Sequence, residues 1–125
     1  MKPQTLAEVA TQTGAGESFD FVLRNFLDEF QARPDPARLI EEPARLAGVV
    51  VDGERHDAFL AATAETLAAM HVLDVPTWVW KEGRKLCRPW FALPWSGLRG
   101  ILLLESPAAF RSRNLFVSAN ALARA

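Results

Sequence analysis

The chain has little cysteine, almost no net charge and no long apolar run, and each shortage excludes a class of protein. Among 125 residues Cys87 is the one cysteine, so no disulfide can form within the chain. No apolar run approaches the roughly 20 residues that a membrane-spanning helix needs. Lys2 is followed by polar sequence, whereas a secretory signal peptide continues into an apolar stretch. We therefore expect a cytoplasmic protein that does not enter a membrane.

The apolar content is sufficient for a hydrophobic core. Hydrophobic residues make up 50% of the chain and charged residues 23%, which excludes a wholly disordered protein. A length of 125 residues is typical of one domain. We expect one domain over residues 1–125, with residues 1–16 as an N-terminal helix and linker and residues 17–125 as its core.

The net charge of −1 conceals a division of the charges along the chain. Residues 1–80 carry 6 basic and 13 acidic side chains, whereas residues 81–125 carry 8 basic and 2 acidic ones. The two parts can pair within one molecule or head-to-tail between molecules. Otherwise the basic part is left uncovered, and it is then the surface on which to look for a partner.

Helical periodicity is strongest just after Ser18, a suitable N-cap. The apolar residues that follow recur at helical spacing and form one stripe. Thr5 and Glu8 form a capping-box pattern before a helix at Leu6–Thr13, and an alanine-rich helix is predicted at Glu54–Leu73. We therefore expect an all-α fold, a single compact multi-helix domain centred on the two longer helices. The stripe consists of Phe19, Val22, Leu23, Phe26, Leu27 and Phe30.

Prolines and glycines divide the rest of the chain into short elements. We predict extended segments at Val49–Val51 and Leu115–Val117 and a structured loop from Gly83 to Gly100. Ser106 followed by Pro107 is typical of a cap and first turn. Short helices are predicted at Pro36–Glu42, Pro43–Gly48, Thr77–Lys81, Gly97–Glu105 and Pro107–Arg113.

Residues that could hold a metal or act as a nucleophile are few and scattered. His56 and His71 lie on one predicted helix about 22 Å apart along its axis, so they cannot share a metal within one chain. Cys87 lies among basic residues, but the local pattern fits an amphipathic turn better than a reactive thiol. Phosphate-binding loops and a nucleophile elbow are missing from the sequence. We expect no catalytic residue, no cofactor and no metal.

Residues 6–14 are typical of the first helix and turn of a helix-turn-helix motif. The second helix of such a motif enters the major groove. Here that helix opens with Glu17 and Asp20, whose negative charges oppose contact with phosphate. Core packing therefore explains the second helix better than DNA recognition does.

Basic and aromatic side chains crowd between Trp78 and Trp95, and more arginines follow at Arg99, Arg111, Arg113 and Arg124. We call this set the basic-aromatic tract. It can bind nucleic acid through phosphate contacts and stacking, or form a protein interface in which Trp and Arg are favoured. In a third interpretation the tryptophans fill the core and the arginines are solvated or paired with the acidic part. The candidate partner-binding residues are Trp78, Trp80, Lys81, Arg84, Lys85, Arg88, Trp90, Arg111 and Arg113.

Three segments carry a family resemblance: Leu67–Trp78, Arg88–Phe91 with its Pro-Trp-Phe motif, and Glu105–Leu122 with the run Arg-Asn-Leu-Phe-Val-Ser. They resemble a family of small bacterial proteins whose sequences are similar to the C-terminal part of antitoxin-type helix-turn-helix regulators. The resemblance covers about residues 54–125 and implies a partner-binding or antitoxin-like role.

Together these features predict a non-enzymatic interaction module. Its partner would be another protein, such as a toxin encoded nearby, or a second copy of the chain. Nucleic-acid binding through the basic part is the first alternative, and an enzyme with an unrecognised site is the second.

Overall fold

Helices dominate the computed structural model, which describes residues 2–92, 105–118 and 121–122. Two short strands form a parallel pair, in which Trp90 lies opposite Leu115 and Phe91 lies opposite Phe116. The elements are α1 (Leu6–Gly14), α2 (Phe19–Ala32), α3 (Ala37–Ile40), α4 (Gly53–Met70), a 3₁₀ helix (Thr77–Trp80), β1 (Trp90–Phe91), α5 (Ala108–Arg111) and β2 (Leu115–Phe116). No helix in these described ranges is long and apolar enough to cross a bilayer.

The first two helices form where they are predicted, although the capping box of Thr5 is only half formed, because Glu8 bonds the Gln4 amide and not the Thr5 amide. The Thr5 side chain accepts a hydrogen bond from the Glu8 amide at 3.1 Å, and Glu8 accepts one from the Gln4 amide at 2.6 Å. Ser18 caps α2 by accepting a bond from the Phe21 amide. Every member of the predicted stripe of α2 is buried. Helix α1 also contributes to the core, through Leu6, Val9 and Ala10.

The alanine-rich helix α4 is the central element, as predicted. Its small side chains are buried, so neighbouring elements can approach it closely. Phe19 of α2 stacks on His56 of α4 with ring centroids 4.1 Å apart and meets Phe59 edge-on at 5.9 Å. On another side Phe59 meets Phe110 of α5 at 4.9 Å. Helix α4 thereby joins the N-terminal helices to the C-terminal elements.

The predicted helical turn from Pro43 to Gly48 does not form. The Asp57 carboxylate instead accepts hydrogen bonds from the amides of Leu46 and Ala47, at 2.8 and 3.1 Å. Gly53 permits this arrangement, because a Cβ at that position would overlap the Leu46 carbonyl. The segment is therefore held on the first turns of α4 in an irregular conformation.

The C-terminal region also differs from the prediction. Ser106 does not cap α5; its hydroxyl bonds to both the amide and the carbonyl of Val117, each at 2.9 Å. The predicted loop contains β1, so the fold is mostly helical with one short parallel pairing. The predicted helix at Gly97–Glu105 lies outside the described residues except for Glu105, and so do Trp95, Arg99 and Arg124.

Candidate partner-binding site

Arg84, a member of the basic-aromatic tract, is a buried hub that is bonded to several parts of the chain. Its Nη2 donates to the Glu42 carboxylate at 3.1 Å and to the Pro43 carbonyl at 2.6 Å. Its Nη1 donates to the Asp57 carbonyl at 3.4 Å and lies 3.7 Å from the Asp57 carboxylate. Burial lowers the pKa of Arg84 below its usual value, whereas the hydrogen bond to Glu42 acts in the opposite direction. Arg84 thus ties the loop after α3 to α4.

Trp78 shares this buried environment. Its indole Nε1 donates to the Leu39 carbonyl at 2.9 Å. The Arg84 guanidinium lies over the same ring, 4.9 Å from its centroid. Trp78 therefore fastens the 3₁₀ helix to α3, and its ring is covered by the Arg84 side chain.

Arg113 forms a second buried hub. Its Nη1 donates to the Glu65 carboxylate at 2.6 Å and to the Ala109 carbonyl at 2.8 Å. Its Nη2 donates to the Val79 carbonyl at 3.1 Å. The guanidinium also lies under the Trp80 ring, 5.4 Å from the centroid. Arg113 therefore connects α4, α5 and the 3₁₀ helix.

Burial corrects part of the predicted partner-binding set. Trp78 is 3%, Arg84 1% and Arg113 4% exposed, so these side chains offer almost no surface on which a protein partner could pack. The Trp78 Nε1 and the Nη atoms of both arginines donate to acidic side chains and backbone carbonyls that are distant in the sequence. For these three residues the interpretation as core tryptophan and paired arginine is the correct one.

Three predicted residues do lie together at the surface: Trp80, Lys81 and Lys85. The Trp80 side chain is 64% exposed, and both lysines are exposed. Lys81 pairs with Glu42 at 2.8 Å, and this hydrogen bond lowers the pKa of Glu42. Lys85 has no acidic partner among the described residues. We call these three residues the Trp80 surface.

Two concavities meet at the Trp80 surface. The larger, about 780 Å³, runs along the chain from Trp80 to Cys87 and reaches Asn114. The smaller, about 260 Å³, lies between the end of the 3₁₀ helix and the end of α5. It is lined by Val79, Ser112 and Arg113, by the Trp80 surface itself, and by Arg84.

The remaining predicted residues lie elsewhere. Arg88 is exposed and Trp90 half-buried, and both line a separate groove of about 440 Å³ at the N-terminus of α4. There the Arg55 guanidinium lies 4.6 Å from the centroid of the Trp90 ring. Arg111 is exposed on α5 and lines neither the groove nor the two concavities at the Trp80 surface.

Sequence reasoning missed the acidic partners Glu42, Asp57 and Glu65. They lie in the acidic part of the chain and are separated from their arginines by 27 to 48 residues. The division of charge along the sequence indicates that basic residues of the second part can pair with acidic residues of the first part within one molecule. It did not identify which acidic residue meets which arginine.

Other candidates for chemistry do not converge. His56 packs on Phe19, whereas His71 meets Phe30 edge-on at 5.3 Å. Cys87 is exposed beside Lys85 in the larger concavity. Within the described ranges no three potential metal ligands lie close enough to hold an ion.

Comparisons with protein-family models, with characterised proteins and with solved structures found no match to this chain.

Proposed function

We propose that the protein is a non-enzymatic interaction module that binds an acidic segment of a partner protein through the Trp80 surface. The observation on which this depends is the position of Trp80, a large indole that is 64% exposed. An aromatic ring of this size removes about 150–250 Å² from water when a partner covers it. Tryptophan is also among the residues most enriched in interface hot spots.

The contact between the Trp80 ring and the buried Arg113 guanidinium favours a binding role for this exposed tryptophan. Arg113 lies under the ring and is itself fixed by Glu65 and two carbonyls. A side chain that is already held in place loses less conformational entropy when a partner binds. Trp80 is therefore a preorganised anchor.

The charges beside Trp80 indicate the chemistry of the partner. Lys85 has no acidic partner in the described residues, and Lys81 shares one carboxylate with Arg84. Complementary negative charge on a partner would accelerate association and select against basic surfaces. An antitoxin-like or regulatory role, implied by the family resemblance, is the finer form of this proposal.

Nucleic-acid binding is the second candidate, since an exposed tryptophan beside lysines can also stack on a base. It is less favoured because Arg84 and Arg113 are already paired with acidic side chains.

An enzyme would need convergent titratable groups in one pocket. No such group is formed by His56, His71 and Cys87.

The test is co-expression with the product of the neighbouring gene, followed by size-exclusion chromatography with light scattering. We expect a stoichiometric complex, and we expect the double variant W80A/K85E to lose it. The matched control is F21A/R24E, which removes an exposed aromatic ring and a positive charge from α2. A monomeric chain without a stoichiometric partner, or equal loss in both variants, would overturn the proposal.

A further inference from the structure

The smaller concavity at the Trp80 surface differs from its neighbours in the charge of its lining. Among the described residues, four cationic side chains line it: Lys81, Arg84, Lys85 and Arg113. No carboxylate of the described residues lines it, whereas the groove at the N-terminus of α4 and the larger concavity at the Trp80 surface are each lined by at least one acidic residue. We call it the cationic cleft.

The acidic partners of these cations lie outside the lining. Glu42 bonds Lys81 and Arg84, and Glu65 bonds Arg113, but neither carboxylate is among the lining residues. Lys85 has no such partner in the described part of the chain. The cleft therefore presents positive charge to any occupant, and Lys85 supplies a full charge that is not shared.

An unsatisfied buried donor adds a second, independent observation. Arg84 lines the cleft while only 1% exposed, and its Nε has no hydrogen-bond partner within the described residues. A buried donor without a partner is costly, and native structures contain few of them. An occupant that supplies an acceptor to this nitrogen recovers that cost.

The arrangement of the donors favours a compact oxyanion. Lys81 directly follows the 3₁₀ helix and Lys85 lies four residues further on, whereas Arg113 comes from the segment after α5, so cationic groups from separate elements line the cleft. A tetrahedral oxyanion has acceptors on several sides and forms strong charge-assisted bonds with Lys and Arg. The volume of about 260 Å³ is below the range of about 300–1,000 Å³ typical of drug-sized ligands.

We propose that the cationic cleft is a phosphate-binding site, in which Lys85 and Lys81 hold the anion beside the Arg84 Nε. This goes beyond the proposed function, because it requires no partner protein. The phosphate can be free or can be the phosphoryl group of a modified side chain, since both present the same oxygens.

The experiment is a titration of the full chain with inorganic phosphate, followed by amide NMR shifts at constant ionic strength. We expect saturating shifts at residues 80–85 and 112–113, absent with chloride. K85Q should weaken binding about tenfold, the loss expected for one hydrogen bond to a charged group. The control R88Q removes an exposed arginine that does not line the cleft and should leave the affinity unchanged.

Shifts that fail to saturate, shifts reproduced by chloride, or equal effects of K85Q and R88Q would overturn the site. A second arm uses N-acetyl-O-phosphoserine amide. Binding more than about tenfold tighter than inorganic phosphate would identify a phosphorylated side chain as the source, and equal or weaker binding would identify free phosphate. No partner is present in either arm, so failure here is distinct from failure of the co-expression test.

Discussion

At the residue scale, the buried arginines show how context decides what a charged side chain does. Arg84 and Arg88 are four positions apart, yet one is buried among acceptors and the other is exposed. A buried ion pair adds little net stability over an apolar substitute, because desolvation offsets the attraction. Removing one partner is nevertheless costly, since it leaves the other charge buried without compensation.

We expect R84M to lower the free energy of unfolding by about 3–5 kcal/mol, because Asp57 is then buried without its cation. R84K should recover part of this loss, since lysine restores the charge but not the forked geometry. The measurement is chemical denaturation, with R88M as the control and an expected change within about 0.5 kcal/mol. Equal effects of R84M and R88M would contradict the hub assignment.

Val72 has a strained backbone conformation just after the C-terminal end of α4. Leu73 donates to the Ala68 carbonyl at 2.8 Å and Val72 to the Ala69 carbonyl at 3.4 Å, which is the Schellman pattern. This pattern places Val72 at φ 54°, a left-handed conformation that suits glycine and is unfavourable for a β-branched residue. The side chain is 91% exposed, so packing does not explain the valine.

We expect V72G to raise the free energy of unfolding by about 1 kcal/mol, because it removes this backbone strain. The matched control is V51G, which replaces a valine that is 86% exposed and has no positive φ. There glycine should destabilise, since it only increases the entropy of the unfolded chain. Thermal and urea unfolding of both variants give the comparison, and stabilisation by V51G as large as by V72G would refute the explanation.

At the element scale, the contact between α2 and α4 contains a titratable group. His56 is half-buried and stacked on Phe19. Burial lowers the pKa of His56 below its ordinary value of 6.5, and the positive charge of Arg55 lowers it further. The carboxylates that act in the opposite direction are those of Asp52, Asp20 and Asp57.

This shift makes the stability depend on pH in a defined direction. The unfolded chain binds a proton at His56 near pH 6.5, whereas the folded chain does so only at lower pH. The contribution of neutral His56 to the free energy of unfolding is therefore fully present above pH 6.5. It is lost as the pH falls from 6.5 through the lower pKa of the folded state. We expect H56Q to flatten this decrease in denaturation curves between about pH 8 and about pH 5. H71Q should keep the decrease, and a decrease that survives in H56Q would assign it to another group.

At the scale of the whole molecule, the sequence predicts the elements whose residues interact locally. The caps at Thr5 and Ser18 and the stripe of α2 depend on neighbours within a few positions, so periodicity was sufficient. The segment after Pro43 depends on Asp57 and Arg84, far away in sequence, and local propensity predicted the wrong conformation there.

The candidate site shows the same limit. Composition indicated a basic-aromatic tract, but it could not decide which members face outward. Trp78 and Trp80 are two positions apart in one 3₁₀ helix, and one is buried while the other is exposed. Burial of Trp78 follows from its bond to Leu39, a contact that no local pattern reveals.

Pairing within one molecule accounts for much of the division of charge. Lys81, Arg84 and Arg113 from the basic part all bond acidic residues from the first part of the chain. These cations are thereby partly neutralised, and a count of basic residues overstates the attraction of the surface for phosphate. The electrostatic field available to a polyanion is set by the exposed cations that remain.

We therefore expect duplex DNA to bind weakly, with a shallow dependence on salt. Between residues 81 and 118, the exposed cations without an acidic partner in the described structure are Lys85, Arg88 and Arg111. Each phosphate contact contributes about −0.9 to the slope of log K against log salt, so contacts from these residues give about −2.7. The slope is measured by fluorescence anisotropy with a labelled duplex, and K85Q/R88Q/R111Q should bring it close to zero. A slope of about −5 or steeper would mean that Arg84 and Arg113 exchange their acidic partners for phosphate, which would favour nucleic-acid binding over the acidic protein partner proposed here.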